Sequence, residues 1–158
     1  MKTETKSTDI TGVSEVVLTY KTKVNPNDRS RITSSRDAYK LLFDSWNKNT
    51  IEHVEEFKLL LMNRSNAVLG ILSVSKGGIS GTVTDIRLIF QCALKTNASG
   101  IIVCHNHPSG NANPSESDKK ITQKIKEAGN LMDIQLLDHL IILPVEGYYS
   151  FADEGVLN

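Results

Sequence analysis

The sequence predicts a single α/β domain, with helices packed on a central sheet. Three observations carry this. Strand-like and helix-like segments alternate along the chain without an internal repeat or a low-complexity tract. Two of the strand candidates are apolar almost throughout, the pattern of strands covered on both faces. At 158 residues the chain is long enough for one hydrophobic core and too short for two ordinary domains.

Residues 1–12 are polar, carry mixed charge and show no period, which predicts a mobile N-terminal tail. Residues 13–50 are expected to add a strand and a helix that pack on the core. Within them SEVVLTYKTK (14–23) alternates enough to predict a first strand. Ala38, Leu41, Leu42 and Trp46 then fall at helical spacing, with Ser34 or Ser35 placed to cap. The run from Glu55 to Gly78 predicts two strands joined by a tight turn at Arg64–Asn66. Ile86, Ile89, Phe90, Ala93 and Leu94 mark an amphipathic helix face opened by Thr84. SGIIVCH (99–105) is a short buried strand. Ile121, Ile125 and Ala128 give the inward face of a second helix, with Gly129 placed to end it. IQLLDHLIIL (134–143) and GYYSF (147–151) complete the sheet, and residues 153–158 are a C-terminal tail.

Apolar residues make up 39% and charged residues 23%, the composition of a soluble globular chain. Lys plus Arg equals Asp plus Glu at 18 each, which weighs against a domain-wide nucleic-acid surface, since phosphate binding leaves a basic surplus. Cys92 and Cys104 lie in apolar segments without a Cys-x-x-Cys pairing, so they are expected as buried, reduced thiols. The first residues have no apolar core of a secretory signal, and no apolar run reaches the roughly 18 residues of a membrane span. The expected compartment is the cytoplasm.

Chemistry concentrates in CHNHPSGNANPSESD (104–118). Side chains two apart on an extended chain point to one face, with Cα atoms roughly 6.5–7 Å apart. Two imidazoles at that spacing, His105 and His107, can both reach one zinc ion. Asp118 is the next strong cation-binding candidate, and its eleven-residue gap would span roughly 36 Å if extended. Pro108, Gly110, Asn111, Asn113 and Pro114 are the residue types that fold such a gap back. Ser115 and Asp118 also fit a helix capping box, so Asp118 taken alone reads first as a cap, with the ligand role as the alternative. The site lies at the carboxyl end of a strand, where α/β sheets bind ligands.

The string His105-x-His107, seven residues, Ser115, two residues and Asp118 resembles the zinc motif of JAMM (MPN+) metallopeptidases. HNHPSGNANPSESD, with LLDHLII (136–142) about twenty residues on, is similar to the RadC family of that superfamily. The resemblance covers residues 51–152. It implies a mixed β-sheet with flanking helices, the cytidine-deaminase-like JAMM/MPN fold, with Zn2+ held by His105, His107 and Asp118. It does not imply deamination, because the H-x-E and P-C-x-x-C signature is absent.

Hydrolysis at zinc needs a base for the metal-bound water. Strand parity groups Glu55 with Phe57, Leu59 and Leu61 and sets Glu56 with Lys58, so Glu55 faces apolar surroundings that favour a general base. Glu55 also matches the family's glutamate, which precedes an x-Phe pair. Ser115, carried over from the motif, is the expected hydrogen-bond donor to the oxyanion. Asp138 and His139 are candidates to support a zinc-bound imidazole, with an internally satisfied Asp/His pair as the alternative. His53 reads as surface.

The resemblance therefore implies a zinc-dependent metallohydrolase, a peptidase or isopeptidase acting on a protein or peptide. The alternative is an accessory module of DNA repair or recombination that binds zinc without required turnover. RadC proteins commonly carry a helix-hairpin-helix region ahead of the metal domain, and the roughly 50 residues preceding it here show no such Gly-rich pattern. That departure weighs against direct DNA binding and toward DNA-repair protein partners.

Overall fold

The structure, a computed structural model, describes residues 11–78 and 82–157. After a short 3-10 helix (Pro26–Asp28), three α-helices and five strands follow among the described residues in the order α1 (Ser35–Asp44), β1 (Glu56–Met62), β2 (Val68–Lys76), α2 (Ile86–Lys95), β3 (Gly100–Asn106), α3 (Glu116–Leu131), β4 (Gln135–Ile142) and β5 (Tyr148–Ser150). The strands form one mixed sheet in the order β2-β1-β3-β4-β5. β1 is antiparallel to β2 and β3, β3 is parallel to β4, and β4 is antiparallel to β5. A hairpin cannot join a parallel pair, so α3 makes the crossover between β3 and β4. The expected α/β class and flanking helices are borne out.

Every residue of β1 and β3 is buried, which is why neither segment alternates in sequence. Leu59, Leu61, Ile101 and Val103 pack with Ile89, Phe90 and Ala93 of α2 and Ile125 of α3. Leu60, Met62, Ile102 and Cys104 pack on the other face with Ala38 and Leu42 of α1 and with Trp46. Each fully buried aliphatic side chain contributes about 1.5–3 kcal/mol relative to its exposed state. Both cysteines are free, Cys104 buried and Cys92 partly so.

A register irregularity separates the pair Ile101–Leu136 from Ile102–Asp138. The extra residue, Leu137, switches the face that follows. Leu136 lies in the cluster under α2 and α3, whereas Leu140 and Ile142 lie in the cluster under α1. His139 thereby shares the α3 side with His105, and Asp138 points the other way.

Three local expectations are corrected. Residues 14–23 form no strand: Val16 and Leu18 are 83% and 78% exposed. A strand persists only through a neighbour, and here the Tyr20 hydroxyl bonds to the Leu69 carbonyl at 2.9 Å. Residues 30–32 instead bridge to the chain entering β2, with Val68 N bonded to Ser30 O and Ile32 N to Asn66 O. Asp85, not Thr84, caps α2, accepting from Arg87 N at 2.9 Å. Gly129 does not end α3; it is buried within the helix, which runs to Leu131. Ser34 caps α1 and the 64–66 turn forms as expected. Of the expected N-terminal tail, residues 1–10 lie outside the described residues. Residues 153–157 turn back, with Lys126 Nζ donating to the Leu157 carbonyl.

Gly129 is required by close approach, because a Cβ there would stand 2.2 Å from the Ile134 carbonyl oxygen. The clash is with backbone, which cannot swing aside. Gly129→Ala is expected to lower unfolding stability by about 1–3 kcal/mol. Urea denaturation of both proteins, followed by circular dichroism, measures it.

Candidate metal centre

β3 delivers His105 buried, and the chain leaves the sheet at His107, half-buried, whose N–H donates to the Ile142 carbonyl. A turn closes with Gly110 N bonded to His107 O, and Gly110 takes a positive φ of 78° that suits glycine. The loop then returns to the start of α3, bringing Asp118 back to the strand end. Asp118 Oδ1 is 3.3 Å from His105 Nε2, and Asp118 Oδ2 is 3.5 Å from His107 Nε2. The two Nε2 atoms are 3.0 Å apart. His105, His107 and Asp118 thus offer ligand atoms around one point.

Cap and ligand are not rival uses of Asp118. Its Oδ2 accepts from Ser115 N (2.7 Å) and Ser115 Oγ (2.8 Å), while Ser115 Oγ accepts from Asp118 N at 3.1 Å, a complete capping box. The same carboxylate faces both imidazoles. The helix end orients the ligand.

The hydrogen bonds at the far side of each ring fix its polarity. His107 Nδ1 lies 2.6 Å from the Asn111 carbonyl, which only accepts, so Nδ1 carries the proton and Nε2 a lone pair. His105 Nδ1 lies 2.9 Å from His139 Nε2, and His139 Nδ1 lies 2.6 Å from Thr122 Oγ1. Thr122 Oγ1 donates to the Asp118 carbonyl at 2.5 Å, so it accepts from His139. His139 Nε2 then accepts from His105 Nδ1, leaving His105 Nε2 bare. Two lone pairs and a carboxylate therefore face one another, an arrangement that only a cation or a proton relieves. Zinc ligands at 2.0–2.1 Å in tetrahedral array stand about 3.3 Å apart, so the donor set fits that ion.

The electrostatics describe the relief that a proton on the imidazoles gives. Burial pushes the Asp118 carboxyl up, but its contacts with His105 and His107 outweigh that and hold it well below the usual carboxylate range. Asp118 in turn raises His107 above the ordinary imidazole value, with burial opposing and the Asn111 bond and Glu55 charge assisting. Burial, reinforced by neighbouring His105, lowers His139 far below that value, so it is neutral.

Glu55 precedes β1 and lines the same cleft, about 740 Å³, as His105, His107, Ser115 and Asp118. Glu56 is engaged elsewhere, accepting from Ser73 Oγ at 2.6 Å and lying 3.8 Å from Lys58 Nζ. Asn106 is fully buried and ties Glu55's segment to β3. Its Nδ2 donates to the Ile51 and Val54 carbonyls (2.7 and 2.9 Å), and its Oδ1 accepts from Glu56 N (2.7 Å). The residue between the two histidines so fixes the distance from Glu55 to both.

Asp138 and His139 part company. The Asp138 carboxylate accepts from Ser150 Oγ, Ala152 N and His139 N, fastening the C-terminal segment, and burial raises its pKa. His139 touches His105 directly. No Asp138–His139 side-chain bond is present among the described residues. Thr122 was missed in sequence, although its place four after Asp118 and three before Ile125 puts it on the inward helix face. His53 is exposed.

A mixed α/β sheet that gathers a His-x-His strand end and an Asp from the next helix defines a JAB-type domain. Residues 32–156 match the model of the RadC-like JAB domain. UPF0758 proteins of Flavobacterium johnsoniae and Porphyromonas gingivalis are 50% and 43% identical over 126 and 129 residues, 80% and 82% of this chain. One of Clostridium kluyveri is 37% identical over 153 residues, 96% of the chain. The chain belongs to the RadC family of the JAB/MPN superfamily, a hydrolase-like superfamily. It spans about half the length of the first two relatives, 53% and 56%. Among the described residues no helix is long and apolar enough to cross a membrane.

Metal analysis of the purified protein is expected to give about one zinc per chain. Asp118→Ala should weaken zinc by more than about a hundredfold, beyond the loss of an outer partner; undiminished uptake would remove Asp118 from the ligand set. A proton on His107 Nε2 excludes the metal, and the raised His107 pKa brings that competition to a higher pH than for a free imidazole. Apparent zinc affinity should therefore fall as pH drops through this range, about tenfold per unit for each proton displaced. Competition titrations with a chromophoric chelator across pH 5–8 read the slope.

Proposed function

We propose that this chain is a zinc-dependent hydrolase of peptide or isopeptide bonds. The observation that carries the reading is the convergence of two bare Nε2 atoms and a carboxylate beside Glu55 in one open cleft. Zinc held by His105, His107 and Asp118 would supply a water acidified to near neutrality and polarise the scissile carbonyl. Glu55, at the cleft wall, takes the proton from the attacking water and passes it to the leaving amine. Asn106 holds the Glu55 segment in register with the ligands through three hydrogen bonds.

Ser115 is proposed to donate to the oxyanion. In this conformation its hydroxyl hydrogen goes to Asp118 Oδ2, so the hydroxyl must rotate toward substrate, trading one acceptor for another. Such a donor contributes about 2.7–4 kcal/mol to the transition state. DNA-repair proteins are the partners the family suggests. The balanced charge, 18 basic against 18 acidic residues, gives no support to direct DNA binding.

Glu55→Gln keeps the shape of the side chain and removes the base. With zinc content unchanged, cleavage of a quenched fluorescent peptide or isopeptide library should fall by about 10²- to 10⁴-fold. Equal cleavage by both proteins would remove Glu55 from the chemistry. No cleavage by either, with function in repair intact in a Glu55→Gln strain, would favour the accessory module that binds zinc without turnover.

A further inference from the structure

A chain of hydrogen bonds runs behind the metal centre and closes on it. His105 Nδ1, His139 Nε2, His139 Nδ1 and Thr122 Oγ1 follow one another at 2.9 and 2.6 Å across the two gaps, and Thr122 Oγ1 reaches the Asp118 carbonyl at 2.5 Å. Its members come from β3, β4 and α3. His139 is fully buried, and Thr122 and His105 are nearly so. Phe151 stacks on the His139 ring at 4.7 Å and 10°, so the ring cannot flip without disturbing the core. Phe57 lies parallel to the His105 ring.

The direction of the chain is decided at its far end. A helix carbonyl accepts and never donates, so the Thr122 hydroxyl gives its hydrogen to Asp118 O and keeps its lone pairs for His139 Nδ1–H. Each ring then receives on one nitrogen what it gives on the other. From this geometry we infer that Thr122 and His139 are positioning residues, which commit His105 to the tautomer with a free Nε2 and tie that choice to the helix turn carrying Asp118. The inference rests on the metal reading above. It assigns control of a ligand on β3 to a hydroxyl on α3 that touches no ligand side chain. A histidine ligand whose other nitrogen is held by a fixed partner keeps its ring orientation, and losing such a partner costs metal affinity about 10–100-fold.

Thr122→Val preserves the branched shape and deletes both hydrogen-bond functions; Thr122→Ser restores them. Long-range 1H–15N correlation on the metal-free, 15N-labelled protein reads the tautomers, and chelator competition reads zinc affinity. In the wild type, His105 and His139 should both carry the proton on Nδ1. In Thr122→Val, His139 should lose that single tautomer and zinc should bind about 10–100-fold more weakly, with Thr122→Ser recovering both. A packing role alone would lower stability and leave the tautomer unchanged. Wild-type His139 protonated on Nε2, or Thr122→Val binding zinc as tightly as wild type, overturns this inference and leaves the hydrolase reading standing. Failure of the wild type to take up zinc overturns both.

Discussion

Three acceptor groups held face to face at the end of β3 are the constraint on which this structure turns. Two imidazole nitrogens 3.0 Å apart, each with its lone pair inward, and a carboxylate at 3.3 and 3.5 Å repel one another unless a positive charge sits among them. An unsatisfied buried polar atom ordinarily costs about 1–3 kcal/mol, so such a cluster does not assemble by chance packing. It is held from behind. Asn111 O takes the His107 proton, His139 takes that of His105, and Ser115 grips Asp118.

The scaffold supplies the stiffness this requires. β3 lies between β1 and β4 with helices on both faces, so its tip has little freedom. Its alternation divides the labour: His105 points toward α3 and the cleft, while Asn106 points to the opposite face and secures the segment that carries Glu55. One strand end thereby sets both the ligands and their distance from the neighbouring carboxylate. The extra residue at Leu137 matters for the same reason, since it brings His139 behind His105 and sends Asp138 to Ser150 and the C-terminal turn.

Much of this was legible in the chain. Apolar runs without alternation announced β3 and β4, and the helical periods of α2 and α3 marked the faces that cover them. His105, His107 and Asp118 stood out because residue type, spacing and a turn-rich loop coincided. Residues 14–23 misled because β-propensity is a local property, whereas a strand also needs the ladder of a neighbour, and the bridge next to β2 is made by Arg31 with Ala67. Gly129 misled in the opposite sense. Its lack of a side chain serves the approach of the Ile134 carbonyl, not the end of a helix.

Local composition and spacing by themselves determined most of the strands and helices, marked His105, His107 and Asp118 as candidate cation ligands, and placed Ser115 and Asp118 at a helix start. Those properties depend on neighbours within a turn or two of chain. Only the tertiary structure decided the roles of Asn106, Thr122 and His139. Apart from the Asp118 carbonyl, which Thr122 reaches within its own helix, their partners lie 17 to 55 residues away in sequence, and the direction of a hydrogen bond is set by whichever group the fold places at its other end.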